Sequence, residues 1–85
     1  MRTRKQPKGD KNIIGTRIEE KRLKIGMHQK ELLAQLQVSG IDMNASAISK
    51  IEGQIRSVAD FELLAISKIL NVSVYWLLTG EEEQK

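Results

Sequence analysis

The stretch Asn44–Glu52, N-A-S-A-I-S-K-I-E, constrains the fold more than any other part of this chain. Asn44 is a strong helix N-cap, since its side-chain oxygen can accept from a backbone N–H two or three residues on. Met43 and Ile48 stand at the positions of a hydrophobic staple across that cap. Ala47, Ile48 and Ile51 share one face at helical spacing and are expected to be buried. The other face carries Ala45, Ser46, Ser49 and Lys50, and no acid before Glu52. So short a helix is marginal by itself, so neighbouring elements must bury its apolar edge. The outward face is small, polar and cationic. It can lie in a DNA major groove without steric or charge penalty, offering hydroxyls and an ammonium to base edges.

The remaining segments read as further short helices. Helix 1 is expected from about Ile13 to Lys24, capped by Asn12 or Asp10, with Ile14, Ile18 and Ile25 near one face and Gly26 as its stop. Arg22 falls close to that apolar side and calls for a partner. Helix 2 is expected from about Gln29 to Gln37. His28 is its cap, Glu31 the carboxylate of a capping box, and Met27 with Leu32 the staple. Leu32, Leu33 and Leu36 point inward, and Ala34 is small enough for a close helix approach. Gln29 and Lys30 sit at its positive N-terminal end, where free N–H groups can receive a phosphate. Val38–Met43 connects helices 2 and 3, with Gly40 at positive φ and Ile41 and Met43 tucked inward. Gly53 ends helix 3. Ser57 is expected to cap helix 4 in a box with Asp60, giving an apolar face of Phe61, Leu64, Ala65, Ile69 and Leu70. Ser73 caps a short helix 5 that Gly80 stops. Nothing reads as a strand, so the class is all-α, a compact five-helix bundle.

With 85 residues and 40% apolar content there is material for one small core and one domain. Without cysteine there is no disulfide and no thiolate metal site, and lone His28 has no second ligand for a metal. No phosphate-cradling glycine loop and no nucleophile with a histidine base occurs, so catalysis finds no residues to carry it, and no cofactor is expected. No apolar run reaches the ~18 residues of a membrane helix, and no signal-peptide pattern opens the chain, so the expected compartment is the cytoplasm. The net charge of +3 is unevenly spread. Arg2, Arg4, Lys5 and Lys8 make residues 1–10 a flexible basic tail, and Glu81, Glu82 and Glu83 make 81–85 an acidic one, leaving 11–80 as the folded domain. A basic arm laid on DNA is the sharper reading of the first tail, and simple solvation the blander one.

Three separated blocks in one order carry a resemblance. Gln29–Lys30–Glu31–Leu32–Leu33–Ala34, then Ile48–Ser49–Lys50–Ile51–Glu52–Gly53, then Ser73–Val74–Tyr75–Trp76–Leu77–Leu78 resemble the phage-repressor and Cro-like helix-turn-helix family, also called xenobiotic-response-element-like. The resemblance spans roughly residues 12–80. It implies a four- or five-helix bundle in which helices 2 and 3 form the DNA-reading unit, with helix 3 in the major groove. It implies base contacts from Ala45, Ser46 and Lys50 with Ser49 beside them. It implies phosphate contacts from Gln29 and from the loop residues Gln54 and Arg56; Lys30 and the cap Asn44 are grouped with these. It also implies a structural salt bridge between Arg22 and Glu52. Two departures stand out. The helix 2–helix 3 connection is about four residues longer than the family's tight turn and lacks its glycine, so the resemblance does not set the tilt of helix 3. His28 also replaces the usual Thr or Ser cap.

The function expected is sequence-specific DNA binding by a transcriptional regulator, most simply a repressor. A single domain presents one recognition helix, so a homodimer reading half-sites about one turn (10–10.5 bp) apart is expected, with Val72–Leu78 either the dimer surface or part of the chain's own core. No segment is long enough for a separate ligand-sensing domain. The alternative is a protein-interaction module, such as an antitoxin or an inhibitor of a related regulator. Each site residue has a plainer reading as well: Gln29 as a solvated first-turn residue, Ser46 and Ser49 as exposed serines, Arg56 as a surface charge.

Overall fold

The computed structural model describes residues 9–82. Five helices follow in order: α1 Gly15–Lys24, α2 Gln29–Val38, α3 Ala45–Glu52, α4 Asp60–Leu70 and α5 Val74–Thr79. No strand occurs among the described residues. The all-helical expectation therefore holds, with boundaries displaced by one or two residues.

The start of α1 shows such a displacement. Asn12 does not sit at the cap position but two residues before it, where its Oδ1 accepts from the N–H groups of Ile14 and Gly15 at 3.1 and 2.8 Å. Its Nδ2 donates to the carbonyls of Ile51 and Arg56 at 3.1 and 2.8 Å. One side chain thus satisfies donors at the start of α1 and adds a second hydrogen bond to a carbonyl at the end of α3. A Cβ at Gly15 would collide with the Ile51 carbonyl, so only glycine lets the two helix ends meet.

The α2–α3 connection is long yet fully built. Gly40 takes φ +90°, its N–H bonds to the Gln37 carbonyl, and Ile41 N–H bonds to that of Leu36, which is a Schellman closure of α2. Gln37 Nε2 then donates to the Met43 carbonyl at 3.1 Å, and Met43 is buried. Asn44 Oδ1 accepts from Ala47 N–H at 2.9 Å and starts α3. The extra residues are therefore spent on a capped helix end and an apolar plug.

Four expectations fail here. Ser57 does not cap α4: the helix starts at Asp60, with Ala59 at the cap position and Glu62 Oε1 accepting Ala59 N–H at 3.0 Å. Phe61 and Leu64 are 59% and 48% exposed rather than core, and Ile25 is 46% exposed beyond the end of α1. Ala34, expected at a close helix contact, faces outward. Residues Ile14, Ile18, Leu32, Leu36, Met43, Ile48, Ile51, Ile66, Leu70 and Leu77 form the core instead. Leu77 belongs wholly to that core, while Tyr75 and Leu78 of α5 remain exposed.

The folded body reaches back past residue 11. Gly9 N–H bonds to the Gly53 carbonyl at 3.0 Å and Lys11 N–H to the Gln54 carbonyl at 2.8 Å. The end of the expected tail, at Gly9, is thereby pinned to the turn after α3. Arg2, Arg4, Lys5 and Lys8 lie outside the described residues, as does Glu83.

Candidate nucleic-acid interface

Helix α3 is anchored on one side and open on the other. Ile48 and Ile51 are buried, Ala47 is half-buried, and Ala45, Ser46, Ser49 and Lys50 are all exposed. The four residues expected to read bases therefore share the outward face of α3. A shallow hollow beside it is lined by Lys11, Asp42, Asn44, Ser46, Lys50 and Arg56. Lys11 and Asp42 were not expected there. Lys11 follows the basic tail, and its backbone bond to Gln54, with the bonds of Gly9 and Asn12 on either side, brings it to the end of α3. Asp42 arrives through the lengthened turn.

The floor of the site is an ion pair. Arg22 Nε meets Glu52 Oε2 at 2.7 Å and its Nη2 meets Oε1 at 3.0 Å, while Nη1 donates to the Met27 carbonyl at 2.8 Å. Both residues are nearly enclosed, at 6% and 3% exposure. The guanidinium is held above its ordinary pKa by the hydrogen bond to Glu52, against the opposing effect of burial. Its contacts run from α1 to the end of α3 and to the turn before α2, so one residue sets the relative placement of three segments.

Gln29 stands between this pair and the surface. Its Nε2 donates to Glu52 Oε1 at 2.9 Å, and its Oε1 accepts from Ser49 Oγ at 3.2 Å. Lys30, the next residue, is exposed beside it at the N-terminus of α2. The α2 N-terminus is closed by Glu31, whose carboxylate accepts His28 N–H at 2.8 Å.

Two residues grouped with phosphate contacts also hold partners within the protein. Gln54 sits at φ +62°, donates from Nε2 to the Asn12 carbonyl at 2.8 Å and accepts from Thr16 Oγ1 at 3.3 Å. Its side chain is half-buried and locks the turn after α3, committing one of its two amide N–H donors to Asn12. Arg56 is paired with Glu62 through two bonds of 3.0 and 3.1 Å. That hydrogen bonding raises the arginine's pKa and lowers the glutamate's, against burial in both cases. Arg56 is still a third exposed along its side chain and borders the hollow, so its charge faces the site while its geometry is set by Glu62.

Among the described residues, no group of three or more metal-ligating side chains occurs and no helix is long and apolar enough to cross a membrane. No family model and no curated protein matches the chain. Among solved structures, the chain is similar to the restriction-modification controller protein C.AhdI from Aeromonas hydrophila. The two share 26% sequence identity with a TM-score of 0.62, over 75% of this chain and 89% of that one. The fold is accordingly of the repressor-like helix-turn-helix type, with α2 and α3 as its two-helix unit.

Proposed function

We propose that this chain is a sequence-specific DNA-binding transcriptional regulator of the Cro-like kind, acting in the cytoplasm as a repressor and as a homodimer on a two-fold operator. The observation that carries the reading is the asymmetry of α3. Its inner side is clamped by Ile48, Ile51 and Glu52, and its outer side offers only Ala45, Ser46, Ser49 and Lys50, none of them acidic or bulky. The similarity to a restriction-modification controller is in keeping with this role. In the proposed complex Ser46, Ser49 and Lys50 meet base edges, Ala45 gives a methyl contact, and Lys30, Asn44, Gln29 and Arg56 face phosphates. Tyr75 and Leu78, exposed on α5, are offered as the surface for the second copy.

A second reading has its own observation. Ile41, Phe61, Leu64 and Ile69 line an open groove between α2 and α4, which suits a protein partner. Salt separates the two. Phosphate contacts make log affinity fall linearly with log salt, whereas an apolar groove is nearly indifferent. Fluorescence anisotropy of the full chain on duplex DNA across a salt series is expected to give a steep slope. Lys30→Ala should shallow that slope by about 1 per subunit bound. Duplex binding that is absent, or unaffected by salt, would favour the groove.

A further inference from the structure

A continuous polar chain runs from the core to the outward face of α3, and the direction of every bond in it is determined. Arg22 can only donate, and the Glu52 carboxylate that faces it can only accept. Gln29 meets Glu52 Oε1 at 2.9 Å and must present its amide nitrogen there, since an amide oxygen would oppose a carboxylate oxygen. The amide oxygen of Gln29 therefore points to Ser49 Oγ at 3.2 Å, and Ser49 has to donate. A serine hydroxyl has a single proton. With that proton committed to Gln29, the exposed side of the Ser49 oxygen holds lone pairs only. Ser46, one turn earlier on the same face, makes no hydrogen bond to the protein among the described residues and can turn to donate or accept.

We infer that Ser49 is a specificity-determining residue that reads DNA as an acceptor, selecting a base with an exocyclic amine in the major groove (adenine N6 or cytosine N4), and that Gln29 is the positioning residue that imposes this polarity. The inference rests on the DNA-binding reading above and deepens it. Guanine and thymine present only acceptors there, through N7 and O6 or through O4. Facing either, Ser49 must break its bond to Gln29 or leave a lone pair against a lone pair. Ser46 carries no such restriction. A buried ion pair thereby sets the hydrogen-bond polarity of one exposed hydroxyl two links away.

The test begins with selection of bound duplexes from random DNA by the full chain, followed by anisotropy titrations on the selected site. The base whose preference is lost in Ser49→Ala is the one Ser49 reads, and it is expected to be adenine or cytosine. Replacing that base with an analogue lacking the exocyclic amine should weaken the parent by about 3- to 10-fold, the range of one net hydrogen bond, and Ser49→Ala by less than about 2-fold. Gln29→Leu frees the proton, so guanine or thymine at that position should come within about 2-fold of the best base, which a purely structural or phosphate-binding glutamine would not produce. Should Gln29→Leu not fold, the analogue arm decides alone. A Ser49-dependent guanine or thymine, equal analogue penalties in the parent and Ser49→Ala, or an unrelaxed preference in folded Gln29→Leu would overturn the inference and leave DNA binding standing. Recovery of no duplex at all would overturn DNA binding itself, and the Ser49 assignment with it.

Discussion

Arg22 illustrates how one side chain can be legible in kind and not in detail. Its position beside the apolar stripe of α1 signals a need for a partner, and the family resemblance points to Glu52. That the arginine also holds the Met27 carbonyl, and that Gln29 shares the same carboxylate, follows only from the three-dimensional arrangement. Removing one member of a nearly enclosed pair strands the other, so Arg22→Ala is expected to cost about 3–5 kcal/mol, read as a lower melting temperature and denaturation midpoint. An unchanged midpoint would show that the pair adds no net stability. Ser57 and Glu62 teach a related lesson. The S-V-A-D pattern has the form of a capping box, yet Glu62 wins the cap because Arg56 holds its carboxylate in place from one side while Ala59 N–H binds it from the other. That arrangement lowers the pKa of Glu62, chiefly through the hydrogen bond from Arg56. Its contribution to stability is therefore complete above the unfolded-state value of about 4.3 and is lost as pH falls through the folded-state value. Chemical denaturation between pH 7 and pH 3 should show a smaller acid loss in Glu62→Gln than in the parent.

At the scale of elements, helix existence was readable because each segment carries a stop or a cap that works locally. Gly26, Gly40 and Gly80 all take positive φ, and Asn44 and Ser73 both accept from the N–H three residues on. Gly53 ends α3 as expected; it stays in the right-handed region, and Gln54 after it takes the left-handed one, with its side chain tied to Asn12 and Thr16. The face of α4 is misread. Phe61, Leu64, Ala65, Ile66, Ile69 and Leu70 leave few polar positions, so periodicity does not decide which apolar side is buried. Ile66 and Leu70 take the core, and Phe61 and Leu64 line the groove against α2. The lengthened turn gives a direct test of its own construction. A Cβ at Gly40 meets nothing within 4 Å, so Gly40→Ala is expected to lose about 1–2 kcal/mol from backbone strain alone. Asn44→Ala should lose about 1 kcal/mol from the cap of α3 and should weaken DNA binding as well. Denaturant titrations of the two variants check both, and a neutral Gly40→Ala would show that the turn adjusts without strain.

For the whole molecule, the bundle is a mount for α3. The body extends only 36 × 35 × 25 Å, and one copy offers only α3 as the proposed reading helix, which is little surface for tight specific recognition. In the proposed homodimer two weak contacts combine, and a dimer through α5 should become monomeric in Leu78→Asp, as sedimentation would report, with operator affinity falling and the monomer fold intact. The placement of the N-terminal residues against the α3–α4 turn was invisible in composition, because a backbone ladder from Gly9 and Lys11 leaves no mark on charge or hydropathy. The central claim, that the outward face of α3 reads bases, is tested most directly by selecting duplexes from random DNA with the parent chain and with Ser46→Ala and Lys50→Ala. A two-fold motif from the parent, with altered base preference in both variants, is the result expected; equal retention of all duplexes, or one unchanged motif across all three proteins, would contradict it.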